Sequence, residues 1–141
     1  YACRMFTDNV HLVGGHGGTF ADQLRGVRAG DVVLATSFSP YTRNTVRAVD
    51  YALDHGARIV AVTDSSVSPI TRGKDTVTLI VGKESQSLFH SIVPAMAVIE
   101  ALVMLMIARG GSEAIEALED SEEQLNGFDA YWLEKSTRIR R

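Results

Sequence analysis

Asp31-Val-Val-Leu-Ala-Thr-Ser-Phe-Ser-Pro-Tyr-Thr42 is the stretch on which the fold turns. An apolar, β-branched run ends in hydroxyls, and helix-forming residues follow at once. The run predicts a buried strand over 32–36, and the residues after it predict a helix over 40–55. Ser39 suits the N-cap, Pro40 the first helical position, and Gly56 the C-terminal cap. A helix start carries unpaired N–H groups and a positive partial charge, which together suit an anion. Ser37 and Thr42 add hydroxyls there, and Tyr41, Thr42 and Arg43 add backbone N–H groups that Pro40 cannot supply. Arg43 also puts a positive charge where the helix dipole already has one, a repulsion that a bound anion relieves. The competing reading is plainer: the serines only cap the helix and Arg43 points to water.

Working outward, the pattern alternates. Residues 10–13 read as a short strand, 14–19 as a Gly-rich turn and 20–27 as a short helix. The Ile-Val-Ala-Val run within 58–63 is the next strand, and 64–68 is a loop. Ser68 caps a helical turn opening at Pro69, and 76–81 is a further strand. Two helices close the chain: a mostly apolar one over 87–109 and an acidic one over 113–134. Strands alternating with helices at this spacing give βαβ units and a parallel sheet. The runs 32–36 and 58–63 are apolar on both faces, as a sheet covered on both sides requires. Ligands of such sheets sit beyond the carboxyl ends of the strands. Three hydroxyl- or Gly-rich loops, 14–19, 36–42 and 63–68, fall on that edge. In the third, Thr63, Asp64, Ser65 and Ser68 repeat the Ser-Pro pattern of the second, and Asp64 either holds a sugar hydroxyl or braces the loop.

The composition narrows the function. The chain has 141 residues, 45% hydrophobic and 22% charged, and reads as a single domain with a packed core. A net charge of −3 argues against broad nucleic-acid binding by this segment. Cys3 stands alone, and His11, His16, His55 and His90 lack metal-ligand spacing, so neither metal nor cofactor is expected. A cytoplasmic setting follows by default, with no signal peptide visible. Tyr1 opens what reads as the last turns of a helix, so the sequence is expected to belong to a longer protein. Residues 92–108 are the one stretch suggestive of a membrane. Pro94 and Glu100 interrupt it, and a core or interface helix is the expectation. The acidic run 113–123 reads as a solvated helix face, and Lys135, Arg138, Arg140 and Arg141 as the complement of the negative end of the last helix, with a DNA-contacting tail as the alternative. The glycines at 14, 15, 17 and 18 miss the dinucleotide spacing, and no P-loop or nucleophile elbow is present. An isomerase would need an acid–base group; Glu84, His90 and Glu100 are the candidates, none with a partner evident in sequence.

With these residues in hand, the chain resembles the sugar isomerase (SIS) domain, and more narrowly the C-terminal effector domain of RpiR-type transcription regulators. The resemblance rests on residues 31–42, on Ala52 and His55-Gly-Ala-Arg-Ile-Val-Ala-Val-Thr-Asp64, on Ser68-Pro-Ile70, on Asp75-Thr-Val77 and on Ser87-Leu-Phe-His-Ser91. It implies a flavodoxin-like, five-stranded parallel sheet flanked by helices, and a homodimer or tetramer joined through the apolar last helices. It also implies a phosphorylated sugar as ligand. Ser37, Ser39 and Thr42, with Tyr41 among them, would hold the phosphate, and Thr63, Asp64, Ser65 and Ser68 would face the sugar. The chain departs from the pattern at Pro40, where SIS enzymes often carry Gly. The family's first strand, which lies between 10–13 and 32–36 in the sheet, is expected upstream of Tyr1. The function expected is that of a sugar-phosphate sensor in a regulator that reaches DNA through a helix-turn-helix domain outside this sequence. A phosphosugar aldose–ketose isomerase and a dimerisation module with a decayed pocket are the alternatives.

Overall fold

Strand β1 (Val32–Thr36) and strand β2 (Arg58–Thr63) form over the residues the sequence predicts. The structure is a computed structural model and describes residues 1–14, 19–82 and 91–132. The β-branched residues that favour an extended, half-buried backbone place the two strands in parallel, with Val33 beside Ile59 and Ala35 beside Ala61. Strand β3 (Val77–Ile80) pairs in parallel with the other edge of β2, so the order is β1-β2-β3. All three strands end on the same edge of the sheet.

Helix α1 (Phe20–Leu24) begins with a capping box. The Asp22 N–H donates to the Thr19 hydroxyl, and the Asp22 carboxylate accepts from the Thr19 N–H. Helix α2 (Arg43–Asp54) ends two ways at once. The Ala57 N–H reaches the Ala52 carbonyl and the Gly56 N–H reaches that of Leu53, both at 3.0 Å. This double closure requires a left-handed residue at Gly56, whose φ is +81°. A Cβ there would also lie 3.2 Å from the Cβ of Ala29.

The described residues group into two compact units, 11–101 and 1–10 with 102–141. The core of the first lies where α2 covers the sheet. Val49 and Ala52 of the helix meet Ala35, Ile59, Ala61, Ala57 and Ile70, flanked by Val33, Val46 and Leu53. Alternation sends Val62 to the opposite face, where it packs with Val81, Phe38, Leu79 and the first turns of helix α3 (Val93–Gly127) through Ala95, Val98 and Ile99. The same face of β1 is open: Val32 and Leu34 are exposed, so two-sided cover holds at β2 but not at β1. In the second unit a short 3-10 helix (Ala2–Met5) stands where the sequence suggests the end of an α-helix, and the Ser121 hydroxyl donates to the Met5 carbonyl at 2.6 Å.

Three expectations change. Residues 10–13 are irregular; a four-residue strand is stable only against a neighbour, and no described strand pairs with it. Helix α2 starts at Arg43 with Thr42 as N-cap, three residues later than the Ser39-Pro40 signal predicts. The turn expected at Pro69 forms, closed by the Thr71 N–H on the Ser68 carbonyl, but the Ser68 hydroxyl, without a partner among the described residues, does not cap it. The two closing helices are both present. They join as α3 except at Gly111, whose φ of 60° and ψ of −139° only glycine adopts readily. Their predicted first residues at 87–90 and last ones at 133–134 lie outside the described residues. Among the described residues α3 is the one helix long and apolar enough to cross a membrane by length and composition. Its Met96, Met104, Leu105 and Met106 are exposed.

Replacing Gly56 by Ala should destabilise the protein by about 1–2 kcal/mol, through the left-handed φ and the crowding at Ala29. A lower urea midpoint at unchanged slope is the expected readout. The Thr19 hydroxyl, and after it the Thr19 N–H, hold the Asp22 carboxyl below its ordinary value. Folding therefore favours the charged form. This contribution is in place above the ordinary carboxylate range and is lost as pH falls through the depressed value. Amide exchange in α1 should accelerate over that window, and Asp22→Asn should remove the dependence.

Candidate functional site

The site grows from how β1 and β2 end. The parallel ladder on β2 runs one residue past β1 and one past β3: the Ser37 N–H donates to the Val62 carbonyl at 3.2 Å, and the Val81 N–H to that of Thr63 at 2.9 Å. The chain then turns from β1 to α2 over residues 37–42, held from the side by β2. The Thr63 hydroxyl donates to the Ser37 carbonyl at 2.7 Å. The Ser39 N–H faces both oxygens of the Asp64 carboxylate at 3.3 Å. Within the turn, the Thr42 N–H reaches the Ser37 hydroxyl at 3.4 Å. The backbone at Ser37 and Ser39 is thus tied to the end of β2, and α2 begins beyond it, at Arg43.

Each residue assigned from sequence has a definite place. Ser37 is buried, and its oxygen accepts from Thr42. Ser39 and Tyr41 are half-buried and Thr42 is exposed. No described residue hydrogen-bonds the Ser39 or Thr42 hydroxyl, and Thr42 caps α2 by position alone. The first turn of α2 contains no acidic residue, and Arg43 opens it with an exposed positive charge. The amides of Arg43, Asn44 and Thr45 have no described backbone acceptor, as at any helix start. An anion at this end would meet N–H groups, two hydroxyls and a cation.

The second loop divides into brace and lining. Thr63 is fully buried, so its hydroxyl serves the Ser37 carbonyl. Asp64, for which the sequence left two roles open, braces the first loop through Ser39. Ser65 is half-buried and accepts the Val67 N–H at 3.3 Å. Ser68 is 2% exposed, and its hydroxyl has no partner among the described residues. The Thr71 hydroxyl holds the loop's far end on the carbonyls of Ser68 and Ser66, at 2.7 and 3.0 Å.

Two residues that position the site escaped the sequence reading. Phe38 sits between the two serines and packs on Val62, Val81 and Ala95, anchoring the loop from below. Its one visible signal is a lone aromatic flanked by hydroxyls. Thr71 gives no signal beyond its polarity. In the 14–19 loop, Gly14 is tied through its N–H and carbonyl to the Gln23 amide, both at 2.8 Å. Residues 15–18 of that loop, with His16, lie outside the described residues, as do Glu84, His90 and the basic residues from Lys135 on. Glu100 is exposed on α3. Among the described residues no cluster of three His, Cys, Asp or Glu side chains is placed to hold a metal ion.

Fold and site together define a parallel α/β domain with hydroxyl-lined loops gathered at the carboxyl edge of its sheet. The chain belongs to the SIS domain family, whose model matches residues 2–105. It is 27% identical over 105 residues to an uncharacterized HTH-type transcriptional regulator of Caldanaerobacter subterraneus subsp. tengcongensis. That match covers 71% of this chain and 36% of the relative, so the chain spans about a third of the length of the curated relative. Among solved structures it is similar to the sugar isomerase domain of an RpiR transcription factor from Sphaerobacter thermophilus. The TM-score is 0.76 at 24% identity, over 86% of this chain and 68% of the other, a likeness of fold.

Replacing Thr63 by Val keeps the shape and removes the donor to a buried carbonyl. It should destabilise by about 1–3 kcal/mol. Ser68→Ala removes an unpartnered buried hydroxyl and should leave the melting temperature unchanged or raise it. Calorimetric melting of the two variants checks both.

Proposed function

We propose that this chain is the effector-sensing domain of a bacterial transcription regulator of the RpiR type, and that the 37–43 seat binds a phosphorylated sugar. The observation that carries the reading is the gathering, at one sheet edge, of the α2 N-terminus, the Ser39 and Thr42 hydroxyls and Arg43, with no acidic residue in the helix's own first turn. The phosphate would lie against Ser37, Ser39, Tyr41 and Thr42. The 64–68 loop would face the sugar, with Thr63 acting from behind as a brace. Membership of the SIS family supports a sugar derivative as ligand, and the likeness to two transcription regulators supports a sensor without turnover.

The domain would act by population shift, ligand favouring one arrangement of an oligomer. The exposed methionines and leucine of α3 suit a homodimer or tetramer interface, and the edge of β1, unpaired among the described residues, suits the upstream strand that the family resemblance implies. DNA would be reached through a domain outside this sequence, in the cytoplasm.

A panel of phosphosugars in a thermal-shift assay on the full-length protein tests the reading. A sugar phosphate at 100 times its Kd should stabilise by about 2.7 kcal/mol, a rise of roughly 5–10 °C for a domain of this size. Ser37→Ala and Thr42→Ala should each shrink that rise. No response to any member of the panel would leave a dimerisation module in place of a sensor.

A further inference from the structure

Resting on the seat just proposed, we propose that Asp64 sets its ligand selectivity: its carboxylate is an internal anion that bare phosphate must displace and that a phosphate ester with a neighbouring hydroxyl can satisfy. The negative charge at this end of the molecule does not come from α2, whose first turn has no acid. It comes from across the sheet, at the end of β2. Both carboxylate oxygens stand 3.3 Å from the Ser39 N–H, the kind of contact a phosphate oxygen would make with the same donor.

Two consequences follow. A phosphate that draws on the Ser39 N–H brings a second negative charge up to Asp64, and like charges at such separations oppose one another strongly. Affinity for a bare anion is therefore low. A ligand whose hydroxyl donates to the carboxylate, beside the Thr63 hydroxyl that stands 3.4 Å from it, replaces the lost Ser39 contact, so the opposition is partly offset. Asp64 thereby converts a generic anion seat into one that requires a polyol next to the phosphate. Asp64 also adjoins Thr63, whose hydroxyl holds the Ser37 carbonyl, so its displacement loosens both loops together.

The test is a calorimetric titration of the full-length protein and its Asp64→Asn variant with inorganic phosphate, methyl phosphate and glycerol 3-phosphate. Asn keeps the shape and a carbonyl oxygen for the Ser39 N–H but removes the charge, so an unchanged melting temperature establishes that the loop is intact. The variant should bind inorganic and methyl phosphate about tenfold more tightly than the native protein. Its preference for glycerol 3-phosphate over methyl phosphate should shrink or vanish. Equal or weaker binding of methyl phosphate by the variant overturns the role of Asp64. If Ser37→Ala still weakens phosphosugar binding in that case, the seat itself stands. Failure of both proteins to bind any phosphate ester overturns the seat and the selectivity together.

Discussion

The parallel register of β1 and β2 is the constraint on which the rest depends. With Val33 beside Ile59 and Ala35 beside Ala61, the two strands end within a residue of each other. Their following loops are then forced into contact, and Thr63 and Asp64 fall level with Ser37 and Ser39. A slip of one residue would turn Ile59 and Ala61 away from α2 and separate the two loops. Core and site therefore rest on a single pairing.

That pairing also holds the turn between β1 and α2. Its amides are satisfied from two directions, by Asp64 across the sheet and by the Ser37 hydroxyl within the turn. Phe38 anchors it to the face opposite α2 while its serines stay at the edge. The loop is rigid below and polar above, the arrangement a binding loop on a firm scaffold needs. The cover of the sheet is uneven for the same local reasons. Alternation commits Val62 to the α3 side and Ile59 to the α2 side, but Val32 and Leu34 of β1 meet no comparable cover.

Much of the fold is legible in the residues themselves. The strands at 32–36 and 58–63 stand where their β-branched runs stand, and Gly56 ends α2 as a glycine after a helical run should. Gly111 marks the break in the last helical stretch, because only glycine takes that backbone readily. The segment at 10–13 failed because its local apolar pattern carries no information about a neighbour. The Ser39-Pro40 start of α2 failed because the backbone there is tied to β2, through the Ser37 carbonyl and the Ser39 N–H, a constraint that lies outside the local pattern.

The candidate site divides along the same line. Sequence alone determined that hydroxyls and a cation stand at the start of α2, and that Thr63, Asp64, Ser65 and Ser68 share their sheet edge. Those are properties of neighbouring residues and of strand order. The Thr42 amide, expected free, is taken by the Ser37 hydroxyl. Tertiary structure alone decided what each one does: Thr63 is a buried brace, Asp64 a carboxylate set on the Ser39 amide, and Ser68 an unpartnered hydroxyl beneath the surface. Hydrogen bonds spanning 25 residues depend on strand register and on depth of burial, and neither is written in the local pattern of any one loop.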